Sequence, residues 1–91
     1  MNNIEIEKFL TTKTSVDSSY VKISFKKRQP IFGLFLKETD YNELKAKNFW
    51  RIVTRKHFDE WNKSHDVSLA KIFHGSDFSK LASYQESFGD D

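Results

Sequence analysis

Between Tyr20 and Lys27 apolar and polar residues alternate: Val21, Ile23 and Phe25 fall on one side, Lys22, Ser24 and Lys26 on the other. A period of two is the pattern of a half-buried β-strand. Arg28–Pro30 then turns the chain. Pro30 has no amide hydrogen, so it belongs outside the ladder or at its first position. The next strand, Ile31–Lys37, abandons the alternation. Ile31 and Phe35 lie on one face and Phe32, Leu34 and Leu36 on the other, so both faces require cover. Gly33 in its middle predicts a bend, a bulge or a close backbone approach. Strongly bent strands are how small barrels close.

Helical spacing appears elsewhere. Ile4–Leu10 places Ile6, Phe9 and Leu10 on one face. Asn2 or Asn3 can cap this helix, and Asn2 with Glu5 has capping-box spacing. Residues 11–19 read as a polar loop. In "DYNELKAKN", Asp40 and Glu43 form an acidic variant of the capping box, and Asn48 suits a left-handed stop. One or two helical turns are predicted there. Phe49–Thr54 is a third strand with aromatic residues on both faces. "RKHFDEWNKSHD" reads as helix, with Thr54 as its cap and Phe58 and Trp61 on one side. Leu69–His74 is a fourth strand, "HGSD" a turn and Phe78–Ala82 a fifth strand. The order αββαβαββ predicts an α+β fold, mainly β. It would be a small five-stranded, strongly bent sheet or a partly open SH3-like or Sm-like barrel, with an N-terminal helix and short connecting helices. An α+β sandwich is the alternative.

Composition narrows the class. The 91 residues make one domain, which buries roughly 60–65% of its unfolded surface. Nine Phe, two Trp and three Tyr compensate, because each ring buries a large area. The absence of Cys excludes disulfides, thiolate metal sites and a Cys nucleophile, and fits a reducing compartment. "MNNIEIEKFL" lacks the basic start and apolar run of a signal peptide. No apolar run approaches the ~18 residues of a membrane helix. The expectation is a cytoplasmic protein with no membrane contact. Three of the 13 acidic residues, Glu86, Asp90 and Asp91, lie at the end of the chain. Residues 1–83 are therefore read as one globular domain with 15 basic residues against 10 acidic ones, +5 rather than the overall +2. Residues 84–91 are read as an acidic, disordered tail.

Candidate chemistry starts from the basic residues. Lys26, Lys27 and Arg28 sit at the hairpin, and Arg51, Arg55 and Lys56 at the end of the third strand and the following helix. They could contact phosphates, with Tyr20, Trp50 or Phe32 as stacking platforms for single-stranded nucleic acid. The favoured reading is of solvated charges that keep an aromatic-rich domain soluble and protect its edges. Phe49, Trp50, Phe58, Trp61 and Phe73 could line a groove or fill the core, and Trp50 and Trp61 are the surface candidates among them. His57, His65 and His74 show no metal spacing. There is no GxSxG, P-loop or GxGxxG, and adjacent Asp59 and Glu60 diverge on a helix. No enzyme activity, cofactor, metal or small-molecule substrate is expected. The sequence predicts a small non-catalytic binding module for a protein partner or for self-association through a strand edge. Single-stranded nucleic-acid (RNA) binding through a basic-aromatic surface is the alternative.

Two resemblances bear on this reading. "GLFLKETDYNEL" is similar to the first motif of Sm-like proteins at Gly33, Phe35, Asp40 and Asn42, which implies a small bent sheet behind an N-terminal helix. The second motif of that family is not recognisable in "FWRIVTRKHF", so its ring assembly and uridine pocket are not carried over. "DYNELKAKNFWRIV" resembles a group of small uncharacterised bacterial proteins, some of which carry a short-chain dehydrogenase label. The chain is far too short for a dinucleotide-binding domain, lacks the glycine-rich turn and is read as lacking the Tyr-x-x-x-Lys pair that such enzymes use, so the label is not supported.

Overall fold

The computed structural model describes residues 1–12 and 20–84. The predicted polar loop from residue 13 onward and the acidic tail from residue 85 onward lie outside the described residues. Helix α1 (Asn3–Thr12) leads to β1 (Tyr20–Phe25) and β2 (Ile31–Phe35), followed by α2 (Tyr41–Ala46) and β3 (Phe49–Thr54). A 3₁₀ turn (Arg55–His57) enters α3 (Phe58–Ser64), and a second (Val67–Leu69) precedes β4 (Lys71–His74). A third, Gly75–Asp77, joins β4 to β5 (Phe78–Tyr84). The predicted order is therefore observed. The fourth strand starts two residues later than predicted, because residues 67–69 wind into the 3₁₀ turn. The fifth strand extends two residues further, and Tyr84 still pairs with Tyr20.

The five strands form one antiparallel sheet in the order β4-β3-β2-β1-β5. Consecutive strands β4 and β5 therefore occupy opposite edges. In a flat sheet, four spacings of ~4.8 Å would separate them by about 19 Å. Yet His74 and Phe78 are only four residues apart, a reach of at most about 14 Å even when extended. The short link thus forces the sheet to curl. Phe25 of β1 meets Phe73 of β4 across the curl, with ring centroids 6.1 Å apart, although two strands lie between β1 and β4 in the sheet. Among the described residues no ladder joins β4 to β5, so the sheet is bent but not closed. A bulge helps: Ser24 pairs with Lys80 but Phe25 with Phe78, which leaves Ser79 unmatched in β5.

The curled sheet creates two cores. The concave side holds Val21, Ile23, Phe35, Trp50, Ile52, Phe78 and Leu81, covered by Ile6 and Leu10 of α1. Burying those two helix residues contributes about 1.5–3 kcal/mol each. The helix begins with the predicted capping box: the Asn2 amide donates to Glu5 Oε1 at 2.9 Å and the Glu5 amide to Asn2 Oδ1 at 2.8 Å. The convex side of β2 and β3 holds Leu34, Leu36 and Val53 under Phe58 and Trp61 of α3. Both faces of β2 are thus covered, as its unbroken apolar run requires. Gly33 sits where a neighbouring strand presses on β2; a Cβ there would lie 2.5 Å from Ile52 Cγ2 of β3. Asn48 takes the predicted left-handed stop, with φ 62°. Two predicted caps are not formed. Asp40 precedes α2 without a side-chain cap bond, because its carboxylate is engaged by Arg51. Thr54 makes no cap bond either, and nothing in the structure explains its absence. No helix among the described residues is long and apolar enough to cross a membrane.

Candidate functional site

Curling the sheet opens a mouth where β4 approaches the β1–β2 connection. The β1–β2 ladder stops at Ile23 and Ile31, and residues 26–30, beyond the last β1–β5 pair at Phe25, arch over this end. The Lys26 amide donates to the Asp77 carbonyl at 3.0 Å and ties the arch to the β4–β5 turn. Two hollows lie beneath it. One, of about 360 Å³, is lined by Phe25, Lys26, Lys27, Arg28, Phe73 and Asp77. The other, of about 310 Å³, is lined by Arg28, Ile31, Thr54, Lys56, Lys71 and Phe73. Arg28 and Phe73 belong to both, so the two form one groove with an apolar floor and a cationic rim.

Strand alternation explains the floor and part of the rim. In β4, Lys71 and Phe73 share the side that faces the groove, while Ile72 between them points outward and is 52% exposed. The guanidinium carbon of Arg28 lies 4.9 Å from the centroid of the Phe25 ring, within cation–π range. Among the described residues, no carboxylate pairs with Lys26, Lys27, Lys56 or Lys71. Asp77 is the one acidic residue on the lining.

Of the six predicted cations, the structure brings four together: Lys26, Lys27, Arg28 and Lys56. The other two lie elsewhere. Arg51 is held in a bidentate pair by Asp40, with Nη1 2.5 Å from Oδ1 and Nη2 3.0 Å from Oδ2. This pair lowers the Asp40 pKa and raises that of Arg51. Arg55 lies over Phe32, 5.6 Å from its centroid, on the convex side. Lys71 stands alone in sequence, and its alternation with Phe73 is the one signal that marks it.

The predicted surface aromatics require correction. Trp50 is 1% exposed, in the concave core, with its Nε1 donating to Asn48 Oδ1 at 2.9 Å. Trp61 is 8% exposed beneath α3, bordering a hollow of about 210 Å³ with Lys37, Glu38 and His65. Tyr20 cannot offer a free ring face on the side where it stacks on Phe58, at 4.2 Å and 11°. The rings that reach the groove are Phe25 and Phe73. Phe73 is one of the predicted core or groove aromatics, whereas the alternation of β1 predicts Phe25 only on the buried face of a strand.

Other chemistry-bearing groups lie away from the groove. The reading that the chain lacks the Tyr-x-x-x-Lys pair of short-chain dehydrogenases requires correction, because Tyr41 and Lys45 have that spacing. Here the Tyr41 hydroxyl is buried without a hydrogen-bond partner among the described residues. Burial and the nearby Glu7 carboxylate raise its pKa. A tyrosine that moves protons near neutral pH needs the opposite shift. Lys45 is itself held by Glu7, with Nζ 2.6 Å from Oε2. His74 Nδ1 lies 2.5 Å from Ser76 Oγ and accepts the Ser76 amide at 3.2 Å. This exposed contact closes the β4–β5 turn. Among the described residues no group of three or more His, Cys, Asp or Glu could hold a metal ion.

No protein-family model, curated protein or solved structure matches the chain. The functional reading therefore rests on the groove itself.

Proposed function

We propose that the chain is a small non-catalytic binding module that holds an anionic chain in the mouth of its curled sheet. The observation that carries this reading is the convergence of Lys26, Lys27, Arg28, Lys56 and Lys71 on one groove from three separate segments. Solubility needs charges that are spread out and mixed in sign. Five like charges around one concavity repel each other and raise the local concentration of anions. The groups with shifted pKa values, Asp40, Tyr41, Arg51 and Asp66, do not line the groove.

Retention on heparin tests the reading. The protein should bind at low salt and elute as salt rises. The variant carrying Lys26→Glu, Lys27→Glu and Arg28→Glu should flow through with a nearly unchanged melting temperature. Retention of the folded triple variant would place any anion binding elsewhere, and a large fall in melting temperature would make the arch structural. Self-association through a strand edge retains one support, the exposed Ile72 on edge strand β4. A cytoplasmic location is supported by the cysteine-free sequence.

A further inference from the structure

We infer that the anionic chain is a single-stranded nucleic acid, with one nucleotide in each hollow, its bases on the aromatic floor and its phosphates on the lysine rim. This rests on the reading of the mouth as an anion site and adds the chemistry of the occupant.

The first argument is shape. Each hollow is near the lower end of the ~300–1,000 Å³ typical of small-ligand sites. They are joined at Arg28 and Phe73, so a strand can run from one into the other. A lone phosphate would need a tighter enclosure with convergent donors. A duplex hides its base faces and would leave the floor unused.

The second argument is the pairing of surfaces. Cations on the rim and rings on the floor match a ligand that alternates phosphates with planar bases. Phe73 presents a ring to both hollows. The Arg28 guanidinium, above Phe25, adds a planar cation on which a base can stack. An acidic peptide would satisfy the lysines but has no regular planar group to offer the rings.

The third argument is Asp77. It lines the larger hollow, and its negative charge there disfavours the side chains of an acidic peptide. A base brings N–H donors on its Watson–Crick edge that this carboxylate can accept. One acceptor among five cations fits a nucleotide better than it fits a polycarboxylate.

Fluorescence anisotropy with three fluorescein-labelled probes tests the inference: a 12-nucleotide single-stranded RNA, the same sequence as a duplex, and a 12-residue polyglutamate. The single strand should bind at least tenfold more tightly than either of the others. Two nucleotides bring about three phosphates to the rim, so the slope of log K against log salt should be about −2, since each phosphate neutralised on a single strand contributes about −0.7. Lys26→Gln with Lys27→Gln should make it shallower. Phe73→Leu should weaken single-strand binding about tenfold to a hundredfold, and far more than it weakens heparin retention. Arg28→Lys keeps the charge without the planar group, and should weaken the single strand while sparing polyglutamate. It serves as the second variant should Phe73→Leu unfold the domain. Equal affinity for polyglutamate or duplex, or single-strand binding indifferent to both variants, would overturn the inference and leave the anion site standing. Failure to bind any probe or heparin at low salt would overturn both.

Discussion

Replacing Gly33 with alanine probes the curl of the sheet directly. Gly33 pairs with Val21 on one side and Thr54 on the other, in the central strand of the five. An added Cβ would lie 2.5 Å from Ile52 Cγ2, 3.4 Å from the Val53 carbonyl oxygen and 3.5 Å from Ile23 Cδ1. Carbon atoms in contact prefer about 3.5–4.0 Å. The methyl group must therefore displace Ile52 by roughly 1 Å. Ile52 is fully buried and branched at Cβ, so it has little freedom to rotate away. Overpacking of this kind costs about 1–3 kcal/mol. Loss of glycine's freedom in the unfolded chain returns about 0.4–1 kcal/mol. A net loss of about 1–2 kcal/mol is expected, a fall in melting temperature of about 4–16 °C for a domain of this size. Thermal unfolding followed by circular dichroism measures it. Ile52→Leu removes the clashing branch at nearly constant volume, so combining the two changes should cost about 1 kcal/mol less than their sum. An unchanged or higher melting temperature for Gly33→Ala, or strict additivity in the pair, would refute the close approach of β2 and β3.

Two further outcomes test polar contacts. Asn48→Gly suits the left-handed backbone but leaves the buried Trp50 N–H without its acceptor, so urea unfolding should show a loss of about 1–3 kcal/mol; a gain would mean that backbone strain dominates there. Asp40→Asn removes the bidentate partner of Arg51. Because Arg51 lowers the Asp40 pKa from its ordinary 3.8, the stability that this pair contributes is fully present above that value and is lost as pH falls through the lower folded-state value. The melting temperatures of wild type and variant should converge below pH 3.8, and a pH-independent gap would count against the pair.

Features set by near neighbours were legible in the sequence, and those set by distant partners were not. The Asn2–Glu5 box spans three residues and forms as read. Asp40 and Glu43 have the same spacing, but the Asp40 carboxylate is drawn to Arg51, eleven residues away, and the cap is forfeited. Asn48 depends on its own backbone preference and is found in the left-handed region. The two-faced run in β2 correctly predicted cover on both sides, although nothing local could say that α1 supplies part of one cover and α3 the other.

The site was half legible for the same reason. Lys26, Lys27 and Arg28 are neighbours in sequence and could be found as a cluster. Lys71 and Phe73 join them only because a three-residue turn brings β4 round to β5 and curls the sheet between them. The same curl draws Trp50 into the concave core and brings the Phe25 and Phe73 rings to the mouth. A tryptophan next to an arginine looks like a binding pair in sequence. In β3, however, Trp50 and Arg51 must lie on opposite faces, and at that position the concave face is filled by the core. The short β4–β5 link therefore decides both which rings are core and which cations converge. A longer link would relax that constraint: it would let the edges separate and dissolve the groove without altering a single residue of its lining.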